Sequence, residues 1–220
     1  MKTLAGLVRG FGILVFLCAS SAQAAYPGGD VALVTALEGN VARVVEGARQ
    51  PMQSFVKLKE GDQLTLDKDA RIQLVFFESR RQESWQGAGK LEVTLMEGRG
   101  TNLPEPQVKV LPAVLVKQIS KTPTLDSQGR AGAVRLRAIP TPSALAKLDS
   151  DYKQLRAETT DRDDLNPELF LLSGLLEMRQ LERIEQVLGE LKTSHPDNVE
   201  AKVLASLYQK TLKNLRESGK

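Results

Sequence analysis

The first half of the chain alternates hydrophobic and polar residues with a period of two, which is the pattern of half-buried β-strands. The alternation is clear at residues 41–45, 71–76 and 91–95. Turn-forming residues separate the runs, at Glu46-Gly47, Glu60-Gly61-Asp62, Gly87-Ala88-Gly89 and Glu97-Gly98-Arg99-Gly100. Short strands with this regular punctuation predict a small antiparallel β domain.

The period becomes helical after Ile139-Pro140-Thr141-Pro142, because two prolines keep any regular element from running through. Beyond them, apolar residues recur three or four positions apart in four stripes. The stripes are Leu145, Leu148, Tyr152, Leu155; Leu169, Leu172, Leu175, Leu176; Leu181, Ile184, Val187, Leu188, Leu191; and Val203, Leu204, Leu207, Tyr208, Leu212. The sequence therefore predicts an α+β protein, with a β domain at 25–111 and a helical domain at 141–220.

The segment at 112–140 is expected to finish the β domain and then to loosen into a linker. Residues 108–110 and 114–116 can each form a short strand, at an edge of the sheet because the nearby prolines cannot donate to a ladder. Residues 134–137 can form one more strand.

The first 24 residues predict a cleavable secretory signal. Lys2 and Arg9 form its basic start, residues 11–17 its apolar stretch, and Ala22-Gln23-Ala24 its small-x-small cleavage site. The apolar stretch is too short to span a bilayer, and nothing later approaches the roughly 20 apolar residues required. The mature chain is expected to begin at Ala25 in the bacterial periplasm, without a transmembrane segment.

Cys18 raises the alternative of a lipoprotein, whose processing needs a small residue just before the cysteine. Phe16 and Leu17 are bulky, so Cys18 is interpreted as an apolar residue of the signal. Cleavage after Ala24 leaves no cysteine in the mature chain, which excludes disulfides and thiol chemistry there.

The charge pattern argues against nucleic acid as a partner. The chain has 30 basic and 27 acidic residues, and loss of Lys2 and Arg9 with the signal leaves a net charge near +1. Arginine and lysine are interspersed with aspartate and glutamate, so the massed positive charge of a DNA-binding protein is missing.

Residues 31–95 resemble the FecR-like domain, a β-rich exported module named after the periplasmic part of a sensor and anti-sigma protein. The residues that carry the resemblance are Glu38-Gly39-Asn40-Val41, Val56-Lys57-Leu58-Lys59-Glu60-Gly61-Asp62-Gln63-Leu64, which matches the family's "L..GD.L" step, and Ala70-Arg71-Ile72-Gln73-Leu74-Val75-Phe76. Gly61 permits a tight turn, and Asp62 can hydrogen-bond the backbone that it reverses. Leu58 and Leu64 are expected to flank the turn as core residues.

The chain departs from the usual pattern of that family in two places. Other members place sigma-interacting helices and a membrane span before this domain, whereas only a cleavable signal is expected here. The family's usual D-G-S turn is replaced by residues 78–87. The resemblance therefore implies a solo exported domain rather than an anti-sigma factor.

The C-terminal stripes resemble a degenerate pair of tetratricopeptide repeats, which are helix–turn–helix units. Leu172-Ser173 with Leu176 recurs 32 residues later as Leu204-Ala205 with Tyr208, close to the family's period of about 34. His195-Pro196-Asp197-Asn198 stands where that family places its inter-repeat proline. Three repeats are normally needed for stability, so the helices are expected to pack against the β domain or a partner subunit.

Four residues are candidates for ligand binding: Phe77, Arg80, Arg81 and Trp85. Guanidinium groups beside aromatic rings can bind carboxylates or sugars through bidentate hydrogen bonds and stacking. The alternative is an ordinary hairpin, in which Phe76 and Phe77 point to opposite faces and Trp85 fills the core.

No pattern of residues predicts catalysis or metal binding. His195, the only histidine, precedes a proline at a predicted helix end, where a role beside the helix dipole is favoured. Asp161-Arg162-Asp163-Asp164 lacks the glycine and terminal glutamate of a calcium loop. No G-x-S-x-G or S-x-x-K motif stands in a fitting context. The sequence therefore predicts a protein that is not an enzyme and uses no cofactor or metal.

These observations predict a non-enzymatic module of the bacterial cell envelope that binds a protein partner or responds to a ligand. Two alternatives stay open, a structural subunit of a secretion or cell-wall machine that assembles as a homo-oligomer, and a peptidoglycan or glycan binder. Polar surface around Arg80, Arg81 and Trp85 would favour recognition, whereas an apolar, self-complementary helix face would favour assembly.

Overall fold

Two antiparallel sheets of five strands each precede a set of helices. The computed structural model describes residues 29–124 and 141–218. The predicted signal at 1–24, with Cys18, and the predicted strand at 134–137 lie outside the described residues. The predicted α+β class is confirmed, with the antiparallel strands first and the described helices after them.

The first sheet has the strand order β10-β7-β6-β1-β4, and the second sheet has the order β3-β2-β5-β8-β9. The strands are β1 (Asp30–Glu38), β2 (Val41–Val45), β3 (Ala48–Pro51), β4 (Lys57–Lys59), β5 (Gln63–Leu66), β6 (Arg71–Phe76), β7 (Arg81–Gln86), β8 (Gly89–Val93), β9 (Gly98–Thr101) and β10 (Gln107–Val110). The described helices are α1 (Ala113–Ile119), α2 (Pro142–Glu158), α3 (Asn166–Glu177), α4 (Leu181–Ser194) and α5 (Val199–Ser218).

The two sheets pack face to face around an apolar core. Leu74, Phe76 and Trp85 contribute to it from the first sheet, and Leu64 and Leu91 from the second. None of these side chains is more than 4% exposed. Because side chains alternate across a strand, the residues between them point to the opposite face of each sheet.

The predicted turn at Gly61 and Asp62 carries the chain from β4 in the first sheet to β5 in the second. Gly61 has a φ of +86°, a left-handed conformation that glycine adopts without strain. The Asp62 carboxylate accepts a hydrogen bond of 2.8 Å from the Lys59 backbone N–H. Leu58 and Leu64 are fully buried, so the turn and its flanking core residues are confirmed.

The other face of the first sheet is covered by helices. Leu33 of β1 and Val75 of β6 belong to the same buried cluster as the core residues of α2 to α5. Ala32 and Val34, the neighbours of Leu33, face the second sheet instead. The molecule is therefore three layers deep, and the expected packing of the helices against the β domain is confirmed.

The predicted helical stripes are buried or partly buried in one cluster, and α3 lies at the centre of the helical layer. Every residue from Asn166 to Leu176 is buried. The hydroxyl of Ser173 lies 2.8 Å from the Tyr208 hydroxyl of α5 and 3.1 Å from the Thr122 hydroxyl. This buried chain of hydroxyl groups joins α3, α5 and the segment that follows α1.

Residues 114–116 form part of α1, so the prediction of an edge strand there is wrong. Leu115, Val116 and Ile119 pack into the helical core on one side of a short helix. A short apolar run has no periodicity to separate a strand from a helix, and its packing decides the outcome. The strand predicted at 108–110 is confirmed as β10, at an edge of the first sheet.

Gly174 of α3 lies against Leu148 of α2, and a Cβ atom there would overlap the Leu148 side chain. The substitution Gly174→Ala is therefore expected to destabilise the protein by about 1–3 kcal/mol, although alanine favours a helix. Chemical denaturation would measure the change. Gly189→Ala is the matched control, because a Cβ there meets open space, and a gain of up to about 1 kcal/mol is expected. Equal effects at the two glycines would contradict the packing argument.

Candidate functional site

The four predicted binding residues all lie on the β6–β7 hairpin, but they occupy different environments. Phe77, in the turn, is half-buried against the helical core. Phe76 is fully buried between the two sheets. The two rings thus point to opposite faces, as the alternation predicts.

Trp85 is a core residue with only 4% of its surface exposed. Its indole Nε1 donates to Glu83 Oε2 over 3.0 Å, and its ring lies against Gly98 and Gly100 of β9. The sequence predicted a turn at these glycines, which instead form a strand whose missing side chains leave room for the indole. Trp85 therefore fills the core, as the hairpin alternative predicts.

Arg81 is engaged by two carboxylates. Its Nε lies 2.9 Å from Glu83 Oε1, and its Nη2 lies 3.6 Å from Glu97 Oε2. Glu83 is fully buried, and its second oxygen also accepts a hydrogen bond of 2.9 Å from the Gly98 backbone N–H. Arg81 therefore neutralises a buried charge, a role that sequence reasoning missed because Glu83 stands in an otherwise polar run.

Arg80, unlike Arg81, is exposed to solvent. It occupies the turn with a φ of +59°, and its backbone carbonyl accepts a hydrogen bond of 2.9 Å from the Leu111 N–H. Within the described residues its guanidinium group forms no hydrogen bond and no ion pair. Of the two predicted arginines, Arg80 is the one whose charge is available to a ligand.

The edge strand β10 exposes an apolar surface beside Arg80. Val108 and Val110 point to the sandwich side of the first sheet, but the second sheet ends at β9, and they stay 45% and 64% exposed. Met96, in the turn before β9, is 46% exposed, and its carbonyl accepts a hydrogen bond from the Ser79 hydroxyl next to Arg80. These four residues, Arg80, Met96, Val108 and Val110, are called the β10 surface.

A cleft lies on the opposite face of the first sheet, where the helices leave it uncovered. Beyond Val75, the same face carries Gln73 and Arg71 on β6, with Ser84 and Gln86 beside them on β7. The loop between α2 and α3 and the start of α5 face these residues across a space of about 980 Å³. This space is called the sheet-loop cleft.

Hydrogen bonds hold the side chains of the sheet in place beneath the cleft. Thr35 donates to Gln73 Oε1 over 2.8 Å, and Gln73 Nε2 donates to Ser84 Oγ over 3.4 Å. Asn166 Nδ2 of α3 donates to Gln82 Oε1 over 2.8 Å, and both of these residues are buried. The Asn166–Gln82 pair marks the point at which the cleft meets the helical core.

Arg156 of α2 organises the loop on the other side of the cleft. Its guanidinium donates to the backbone carbonyls of Asp164, over 3.0 Å, and Asp161, over 2.6 Å. It also pairs with the buried Glu168 carboxylate at 3.1 Å. The same carboxylate accepts a hydrogen bond from Tyr152, and burial, followed by the charge of Glu168, raises the pKa of Tyr152 to about 12.

The acidic wall of the cleft consists of Asp161, Asp163, Asp164 and Glu200. Asp163 Oδ1 accepts a hydrogen bond of 3.0 Å from Asn198 Nδ2, and Glu200 Oε1 accepts one of 3.3 Å from the Leu37 N–H. These bonds hold the carboxylates in position while leaving a second oxygen of each without a hydrogen-bond partner among the described residues.

The basic side of the cleft carries Lys68, Arg71 and Lys109, and two further carboxylates, Glu38 and Glu105, also line the cleft. Burial raises the pKa of the Asp164 carboxyl above its ordinary value, and the Asn166 N–H, Lys109 and Arg156 offset part of that rise. Lys109 thus acts electrostatically on Asp164 across the cleft. None of the charged groups of the acidic wall or the basic side forms an ion pair within residues 29–124 and 141–218.

Within residues 29–124 and 141–218, no three histidine, cysteine, aspartate or glutamate side chains are grouped so as to hold a metal ion. No helix in the described part of the chain combines the length and apolar character needed to cross a membrane. Comparison of the chain with protein-family models, curated proteins and solved structures found no match.

Proposed function

We propose that this chain is a non-enzymatic interaction module of the bacterial cell envelope, and that it binds a partner protein through the β10 surface. In this proposal residues 1–24 export it to the periplasm, the β domain is FecR-like and the helical layer is tetratricopeptide-like. One observation carries the proposal: in the described part of the chain, an open strand edge with exposed valines lies beside an arginine whose charge is unpaired.

The backbone of β10 supports the addition of another strand. Within residues 29–124 and 141–218, β10 pairs with β7 only, so its other side offers N–H and C=O groups to an extended segment. Proteins usually protect such an edge with charged side chains or with covering elements. Val108 and Val110 instead leave apolar surface on one side of it, which an added strand would cover.

The side chains of the β10 surface select the chemistry of the partner. An added strand places alternate residues on the side of Val108 and Val110, so those residues should be apolar. The positive charge of Arg80 favours an acidic residue at one end of the segment, since Arg81 is already paired with Glu83 and Glu97. The proposed partner segment is therefore extended, apolar at alternate positions and acidic at one end.

Assembly through the helices is less well supported. On the described parts of α2 to α5, Val199 is the one large hydrophobic side chain with high exposure, at 62%. An isolated valine does not make a self-complementary apolar face. The proposal therefore places the interaction on the β10 surface.

The test uses an end-capped peptide of alternating valine and threonine that finishes in two glutamates, and a second peptide that finishes in two lysines. The wild-type chain from Ala25 to Lys220 is expected to bind the acidic peptide about tenfold more tightly, because one charge pair changes sign. Arg80→Glu is expected to reverse that preference. NMR titration measures the affinities, and amide hydrogen exchange locates the added strand.

Two matched variants control for general effects of charge and of lost apolar surface. Arg49→Glu changes an exposed arginine on β3 of the second sheet, and Val199→Lys changes an exposed valine on α5. Both should bind like wild type, whereas Val110→Lys should bind weakly. Equal affinity for the two peptides, or equal protection of β10 and the other edge strands, would overturn the proposal.

A further inference from the structure

We infer that the sheet-loop cleft is a second binding site, for a zwitterionic peptide whose carboxylate meets the basic side and whose ammonium group meets the acidic wall. The site goes beyond the proposed function, because it lies on the helix-facing side of the first sheet. Val108 and Val110 point to the other side, although Val108 also borders the cleft. The two proposals are tested separately, because their variants change different residues.

The cleft is lined by charges of both signs, and its sheet side carries Lys68, Arg71 and Lys109 together with Glu38 and Glu105. Arg71 and Lys109 rise from the sheet, and Asp161, Asp163 and Asp164 face them from the loop between α2 and α3. None of these charged groups forms an ion pair within the described residues. A ligand that carries both charges can satisfy both sides at once, which a singly charged ligand cannot do.

The polar groups between the two sides suit a peptide backbone. Gln73, Ser84 and Gln86 supply amide and hydroxyl groups that both donate and accept, as a peptide unit does. Gln73 is already held by Thr35 and Ser84, and Asp163 by Asn198. Because these groups are held before a ligand arrives, little side-chain entropy is lost on binding.

Other classes of ligand match the cleft less well. An apolar molecule would remove the charges of both sides from water without giving them partners, which is costly. A neutral sugar could use the amides but would leave the charges unsatisfied. Trp85 borders the cleft, but its ring is buried between the two sheets and is not available for stacking on a sugar.

The required chemistry, an ammonium and a carboxylate on one short peptide, has two natural sources in a cell envelope. One is the stem peptide of peptidoglycan, and the other is an ordinary peptide with free ends. Isothermal titration calorimetry can separate them with two probes, the stem tripeptide L-alanyl-γ-D-glutamyl-meso-diaminopimelate and the L-peptide Ala-Glu-Lys. A preference for the first assigns the site to the cell wall, and equal binding assigns it to free peptides.

The chain from Ala25 to Lys220 is expected to bind at least one of the two peptides with saturation. Acetylating the amines of that peptide should weaken binding about tenfold, as the loss of one charge-assisted contact does. Asp163→Asn should weaken binding of the unmodified peptide by a similar factor. It should leave the affinity for the acetylated peptide unchanged, because the substitution and the acetylation remove the same contact. Arg71→Gln should likewise weaken binding of the unmodified peptide. It should leave the affinity for a peptide with amidated carboxylates unchanged.

The controls are Lys90→Gln and Glu92→Gln, which change exposed charges on β8 of the second sheet and should not alter affinity. Thermal unfolding of each variant verifies that it is folded. The inference is overturned if neither peptide binds, if acetylation has no effect, or if a neutral N-acetylglucosamine tetramer binds as tightly as the peptides.

Discussion

Replacing Trp85 with alanine is expected to lower the free energy of unfolding by about 3–5 kcal/mol, the range for large aromatic residues removed from a core. The indole is 4% exposed, fills the space above Gly98 and Gly100, and donates a hydrogen bond to Glu83. Its loss leaves a cavity at the junction of the two sheets and removes one donor from a buried carboxylate. Equilibrium denaturation in urea measures the change.

A second substitution at Gly100 makes this prediction specific. In the wild type a Cβ at Gly100 would lie 2.5 Å from the Trp85 ring, so Gly100→Ala alone is expected to cost about 1–3 kcal/mol. In the Trp85→Ala background the methyl group occupies vacated space, and the same change should cost much less. Additive effects of the two substitutions would show that Trp85 does not pack on β9.

Replacing Arg156 with alanine is expected to destabilise the protein by about 2–4 kcal/mol and to loosen the loop that carries the acidic wall. The Arg156 side chain is 25% exposed, and its guanidinium group pairs with Glu168, whose side chain is 8% exposed. It also holds the backbone carbonyls of Asp161 and Asp164. Urea denaturation gives the change in stability, and faster amide hydrogen exchange at residues 159–165 would report the loosening.

Arg183→Ala is the matched control for Arg156→Ala. Arg183 also makes a short ion pair, 2.6 Å from Asp149, but the two side chains are 42% and 28% exposed. Such a surface pair contributes about 0–1 kcal/mol. Arg156→Lys should fall between the two alanine variants, because lysine keeps the charge but lacks the planar fork that reaches several acceptors. Similar losses for Arg156→Ala and Arg183→Ala would contradict the proposed role of Arg156.

The elements that the sequence predicted are those in which a local pattern and the final packing agree. The alternation at 71–76 and the turn at Gly61 and Asp62 have the structure that their residues favour by themselves. The helical stripes reflect the same agreement, because each forms one side of a helix that packs on its neighbours.

The elements that the sequence predicts wrongly are those whose structure depends on contacts between residues far apart in the chain. Residues 114–116 are as apolar as a strand would be, and only their packing against the helical core makes them helical. Gly98 and Gly100 are typical turn residues, but here they lie in a strand, and their lack of side chains leaves room for the Trp85 ring of the first sheet. Phe55 is buried with a φ of +65°, a conformation that nothing in its local sequence predicts.

The cleft could not be predicted for a related reason. Gln73, Ser84 and Gln86 are ordinary polar residues of separate strands, and only the pairing register places them on one face. Asp161 and Asp163 are close in sequence, which suggests a comparison with a calcium loop. The groups that face them across the cleft come from the sheet, which is distant in sequence. The acceptors of Arg156 include backbone carbonyls, which no side-chain pattern reveals.

The first sheet has one face buried against the second sheet and the other buried in part against the helices. The β domain and the helices therefore share part of their interior. Leu33 and Val75 belong to one cluster with the interior of α3. The prolines at 140 and 142 therefore separate two sequence periodicities but not two independent folding units. Residues 25–124 and 141–220, produced as separate fragments, would each expose part of a common interior and would complement one another as a split protein does.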